Sequence, residues 1–250
     1  MFRRPRQTTA DGLSLRLSKI LHPIPVIPWS ALAMWYLGVP VGVGAPMIVV
    51  RDAANYPTAQ SRLAKAGFKR SVPNRNPHPQ QMLGGINAGY HRVDRSCAVF
   101  DYRDDDPSDK AMQLYLYLFP NLFAHVFDGW RWQEAPRHET AQRYESYGNL
   151  HYALERALVG SLVRAAVEEE SATGFSAWGE DLRSCVAMMN GYLEVDNDAL
   201  DYCADEQVVD WYSRNFGRIR EARFGPMDHR VSKRLGSGRE MPVDTRGNPI

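Results

Sequence analysis

The apolar positions change their period along the chain, and those changes divide it. Leu13, Leu17, Ile20 and Leu21 recur at helical spacing behind Thr9 or Asp11, either of which can cap a first helix. Pro23 and Pro25 close that helix. Ile24–Ile27 is a short strand candidate. Ser30–Leu37 predicts a strongly apolar helix stopped by Gly38, with Pro40 close behind. The β-branched run Met47–Val50 predicts a central strand. Tyr56, Ala59, Leu63 and Ala66 mark a third helix, and Gly67 fits the position after its end. Phe68–Val72, Ser96–Tyr102 and Gln113–Phe119 read as further strands, with Leu122–Phe127 extending or following the last. Pro73–Gly89 reads as a loop, Arg103–Lys110 as an acidic turn, and Gly129–Tyr147 as irregular, charged and aromatic.

The pattern shifts near Asn149. Leu150, Leu154, Ala157, Leu158, Ser161, Leu162 and Ala165 predict a long amphipathic helix ending in Glu168-Glu169-Glu170. Trp178–Tyr192 and Ala199–Phe216 predict two more. From Gly217 the chain is rich in Arg and Gly, with too little apolar content for a core of its own. The resulting division is an α/β core over 1–130, an irregular connection over 131–148, a helical region over 149–216 and a basic tail over 217–250.

Composition narrows the function classes. At 250 residues the chain can bury a sizeable core as one domain with an appendage or as two small ones. Thirty basic and 29 acidic residues leave a net charge of +1. That balance exerts no global pull toward nucleic acid or an anionic membrane, so neither is expected as a partner. Three cysteines without a CxxC or Cys/His metal spacing fit free thiols in a reducing compartment. The basic start, Met1–Gln7, is not followed by an apolar signal core, and Val39–Val50 is too short to span a bilayer. A cytoplasmic location is expected.

The order of helix, strand, helix, strand, helix over residues 10–66 carries a resemblance. Its residues are Ala31-Leu32-Ala33-Met34-Trp35-Tyr36-Leu37-Gly38-Val39-Pro40 and Ala66-Gly67-Phe68, with Lys233-Arg234-Leu235-Gly236-Ser237-Gly238-Arg239-Glu240-Met241-Pro242 in the tail. This pattern resembles the nucleotidyltransferase fold, and more narrowly a group of uncharacterised nucleotidyltransferase-like proteins of filamentous fungi. The implied fold class is α+β, a mixed sheet flanked by helices, with a C-terminal helical region and an Arg/Gly-rich tail.

In active members of that fold a Gly-Ser or Gly-Gly pair starts a helix, and the next strand carries Asp-x-Asp. Strand alternation then aims both carboxylates at the same magnesium ions, which neutralise a triphosphate and activate the attacking oxygen. Here Trp29-Ser30 stands at the helix start and Ala45-Pro46-Met47 in the Asp-x-Asp slot. A methyl and a thioether do not bind a hard cation. Asp101 matches a third carboxylate on a later strand. The resemblance therefore implies a degenerate site with no resident metal and no cofactor. A small molecule or a protein partner would lie near Ala45 and Met47, with Arg234 and Arg239 of the tail contacting an anionic group.

Two other chemistries compete. Repurposed acid–base catalysis, for example in specialised metabolism, would draw on His91, Asp101, Tyr102 and His125. Asp105-Asp106-Pro107-Ser108-Asp109 has the spelling of the Asp-Asp-x-x-Asp motif that holds magnesium on a diphosphate. Pro107 inside the motif suits a solvated turn better than a helix. No two of the seven histidines are spaced i, i+4, and no Gly-x-Ser-x-Gly elbow is present.

Overall fold

A computed structural model describes residues 4–72, 88–102, 114–127, 143–193, 195, 199–200, 203–216, 218–220, 231–235 and 239–241. Residues 1–128 with 142–193 form one compact unit, and 129–141 with 194–250 form a second.

The first unit is α+β, built on a seven-stranded mixed sheet. Its strands are β1 (Val26–Trp29), β2 (Met47–Val50), β3 (Lys69–Arg70), β4 (Ala98–Tyr102), β5 (Leu114–Pro120), β6 (Tyr144–Tyr147) and β7 (Leu150–Ala153), in the order β3-β4-β5-β2-β1-β7-β6. The β1/β7 and β2/β5 pairs are parallel; the other four are antiparallel. The two edges are short and carry charge, Lys69 and Arg70 on one and Glu145 on the other, which discourages pairing with another chain.

Among the described residues seven helices accompany the sheet: α1 (Gly12–Leu21), α2 (Ala31–Tyr36), α3 (Tyr56–Lys65), α4 (His91–Ser96), α5 (Asn121–Ala124), α6 (Glu155–Thr173) and α7 (Ala177–Leu193). Asp11 caps α1 by accepting from the Ser14 amide at 2.7 Å. The register Trp29↔Met47↔Tyr117↔Val99 fixes which side chains share a face. Cross-strand partners point the same way, so Trp29, Ile27, Met47, Val49, Tyr117 and Phe119 share one side. On that side Phe123 of α5 stacks on Phe119 at 5.2 Å, and Trp29 meets Phe123 and Trp178 at 6.3 and 6.2 Å. On the other side the Tyr56 hydroxyl of α3 donates to the Leu118 carbonyl at 2.9 Å. Arg62 of α3 donates to the Leu21 carbonyl of α1 at 3.1 Å. Buried apolar residues from both layers enclose the sheet.

Several sequence expectations need correction. The first strand lies two residues later than expected, at Val26–Trp29. Residues 91–96 form α4, which takes in Ser96, expected to start a strand; residues 91–95 carried no expected element. Leu122–Phe127 does not continue β5; its first residues form α5. Leu150, expected on a helix, is the first residue of β7, and the helix starts only at Glu155. Tyr144–Tyr147, expected to be irregular, is β6. The two-residue turn Gly148-Asn149, with Gly148 at φ +67°, joins it to β7.

In the second unit, α8 (Glu206–Phe216) starts seven residues later than the expected Ala199. Val208, Val209, Trp211 and Tyr212 are buried along it. The tail contains regular structure. Strands β8 (Arg218–Arg220), β9 (Val231–Leu235) and β10 (Arg239–Met241) form an antiparallel sheet, with Arg234 opposite Glu240 and Arg239 opposite Leu235. No helix among the described residues is long and apolar enough to cross a membrane.

Candidate functional site

The turn from β1 into α2 is the residue pair Trp29-Ser30. Ser30 takes φ 54° and ψ −130°, a conformation that L-residues other than Gly seldom adopt. Ser30 is buried, and its hydroxyl lies 3.5 Å from the Cys185 thiol of α7. Burial pushes the Cys185 thiol pKa up, so it remains protonated.

Beside this turn lies the strand expected to carry both position 45 and position 47; it begins only at Met47, and Ala45 lies in a bend before it. Met47 is paired with Trp29 on one side and Tyr117 on the other, and both Met47 and Ala45 are half-buried. Asp101 is opposite Tyr115 in β5 and Lys69 in β3. Counting by two along each strand puts Asp101 on the same side as Met47, two strands away. Tyr102 pairs with Leu114 in the backbone register.

Above that side sits an ionic cluster that the sequence revealed only in part. Arg92, the second residue of α4, places its guanidinium 5.2 Å over the Phe123 ring. Its Nη2 is 2.9 Å from Glu168 Oε2, and its Nη1 is 3.2 Å from Glu169 Oε2. His125 terminates α5 in the left-handed region, at φ 55°. Its Nε2 lies 2.9 Å from Glu168 Oε1. One carboxylate thus lies close to both a guanidinium and an imidazole. Glu169 is 1% exposed and accepts from the Ser176 hydroxyl at 2.8 Å, which in turn caps α7 by accepting from the Gly179 amide at 3.0 Å. The Trp178 indole N–H is buried and has no acceptor among the described residues.

Of the expected acid–base residues whose side chains are described, His125 falls within this cluster. His91 is the exposed first residue of α4, next to Arg92, and Asp101 belongs to the sheet surface. Arg234 and Arg239 belong to the second unit. Asp105, Asp106, Asp109 and Gly236–Gly238 lie outside the described residues. Arg92, Glu168 and Glu169 were missed. A signal for Glu169 existed, because it continues the spacing of Leu158, Leu162 and Ala165 onto the buried side of α6. Among the described residues no group of three or more His, Cys, Asp and Glu side chains is arranged to hold a metal.

A second polar pair sits on the β6–β7 hairpin. The Ser146 hydroxyl lies 2.8 Å from His151 Nδ1 in a cross-strand pair. Burial, and then the Arg51 cation, push the His151 pKa below its ordinary value. The folded state therefore prefers neutral imidazole, and the unfolded chain takes up the proton first as pH falls. This contribution to stability is present above pH ~6.5 and is lost on acidification below it. His151→Gln should flatten the decline of Tm between pH 7 and pH 5. An unchanged slope in thermal melts across that range would show that His151 carries no such linkage.

The chain matches no model of a known protein family and no curated protein.

Proposed function

We propose that this chain is a nucleotidyltransferase-like protein that binds a small, nucleotide-like molecule or a protein partner without metal-dependent nucleotidyl transfer. The observation that carries the reading is the β1–turn–α2–β2 unit. It returns as an antiparallel neighbour, so Met47 stands against Trp29 immediately before the Ser30 turn. Ala45, in the bend before β2, and Met47, its first residue, offer a cation no oxygen. Among the described strand residues Asp101 is the one carboxylate on that side, and a single carboxylate holds magnesium poorly. The buried indole N–H of Trp178 supports a ligand that brings a hydrogen-bond acceptor.

The test is incubation with labelled nucleoside triphosphates and magnesium, followed by a search for label on protein, nucleic acid and small acceptors. The expected result is no incorporation. Incorporation that Asp101→Ala abolishes would overturn the reading.

The closeness of Glu168 to His125 favours a second reading, acid–base chemistry at a repurposed site, because a carboxylate beside an imidazole is a pairing such catalysis uses. Turnover of any substrate that is lost in His125→Gln but kept in His91→Gln would support that reading over the first.

A further inference from the structure

Residues 4–8 form an irregular arm against the α2 terminus and the β6–β7 hairpin. They are held as a bound peptide would be. The Gln7 amide donates to the Tyr36 carbonyl at 2.9 Å, and the Tyr147 hydroxyl donates to the Thr8 carbonyl at 3.4 Å. Gly38, at φ +95°, lets the arm close in, since a Cβ there would run into the Arg4 carbonyl oxygen. Beneath the arm lie aromatic rings: Tyr36 stacks on Tyr152 at 3.8 Å, and its hydroxyl lies 2.9 Å from that of Tyr147.

Two carboxylates from different elements converge on one guanidinium. Arg6 Nη2 lies 3.1 and 3.2 Å from the two oxygens of Glu155, at the start of α6, and Nη1 lies 3.5 Å from Glu145 of β6. A planar, two-ended cation spans both; an ammonium reaches only one at full strength. The arm's other side chains offer little anchorage, because Arg4, Pro5, Thr8 and Thr9 are exposed. The ion pairs are also partly exposed, with Arg6 at 35%, Glu145 at 39% and Glu155 at 23%. Contacts of this kind are screened by salt and hold weakly. The arm is therefore seated by main-chain contacts and held by weak, partly exposed ion pairs.

We propose that this acidic, tyrosine-lined groove is a recognition site for an arginine-bearing segment of a partner protein, and that residues 4–8 fill it as a displaceable internal ligand. Main-chain bonds would supply register, Gly38 would admit the backbone closely, and Glu145 with Glu155 would select arginine.

The experiment uses a labelled synthetic peptide of residues 1–10 and the full-length protein carrying Arg6→Glu, which should release the arm. Fluorescence anisotropy should show saturable binding of the peptide to Arg6→Glu protein, and binding at least about tenfold weaker to the wild type, whose groove is occupied. A peptide with Arg6→Lys should bind severalfold more weakly than the native peptide, and one with Arg6→Glu should not bind. Hydrogen exchange gives an independent readout, because the Gln7 amide should lose protection in the Arg6→Glu protein while the β6–β7 hairpin keeps its own. Continued protection of Gln7, or equal binding of native and Arg6→Glu peptides, would overturn the proposal.

Discussion

Trp29→Ala is expected to cost about 3–5 kcal/mol of folding stability, the range for removing a large aromatic from a packed core. Trp29 is fully buried and is the centre of an aromatic cluster. Its ring meets Phe119 at 5.4 Å, and Phe123 and Trp178 lie beyond it, so one side chain ties the sheet to α5 and α7. Its Nε1 donates to the Ser161 hydroxyl at 2.8 Å, and that hydroxyl donates on to the Ala124 carbonyl at 2.5 Å. Truncation therefore opens a cavity and interrupts a hydrogen-bond relay that runs from β1 through α6 to α5. Tm should fall by roughly 10 °C or more for a domain of this size. Trp29→Phe keeps most of the ring contact and loses the indole donor, so its cost should be about a third as large. Urea unfolding of both variants checks the pair. A loss below about 1 kcal/mol for the alanine variant would mean that the cluster does not hold the layers together.

Glu169→Ala should be the second large effect, at about 2–4 kcal/mol, less than a fully enclosed ion pair because Arg92 retains some solvent. The comparison with its neighbour is the sharper result. Glu168, 39% exposed, binds the same guanidinium from the rim, and Glu168→Ala should cost under about 1 kcal/mol. Two adjacent glutamates in one acidic run thus differ because one continues the buried stripe of α6 and the other does not. Ser176 would also lose its acceptor in Glu169→Ala, loosening the first turn of α7. Combining Glu169→Ala with Arg92→Ala should cost less than the sum of the two singles by about 1 kcal/mol or more, since each removes the same interaction. Equal effects of the two glutamate variants in denaturant unfolding would contradict this placement.

What could be read from the sequence was what is written locally. β2 matches the expected Met47–Val50 residue for residue, because an unbroken β-branched run between turn residues fits little else. The helices α2 and α3 follow their periodicity to within a residue or two of the expected ends. β7 was misread because Leu150, Leu154 and Leu158 mimic the i, i+4 period of the helix that follows directly. The decisive signal was Gly148-Asn149 between two four-residue runs, the spelling of a two-residue hairpin loop. α4 has one buried side chain, Val93, and too short an apolar pattern to announce itself.

The site was less legible still. His125 could be singled out as a titratable group, but its partner arrives from α6 and the arginine that holds that partner from α4. Only the folded chain brings the three together, and no local spacing encodes that. Ala45 and Met47 are expected on one strand face, but β2 begins at Met47 and Ala45 lies in the bend before it, so alternation does not set their relative direction.

The most direct test of the account installs what the chain lacks. Ala45→Asp/Met47→Asp puts one carboxylate on the first residue of β2 and one in the bend before it. Thermal melting with and without manganese should show a metal-dependent rise in Tm for this variant and none for the native protein, with Asp101→Ala reducing the gain. A native protein that manganese stabilises, or a double variant as indifferent to metal as the native chain, would show that residues 45 and 47 do not occupy a lost metal site.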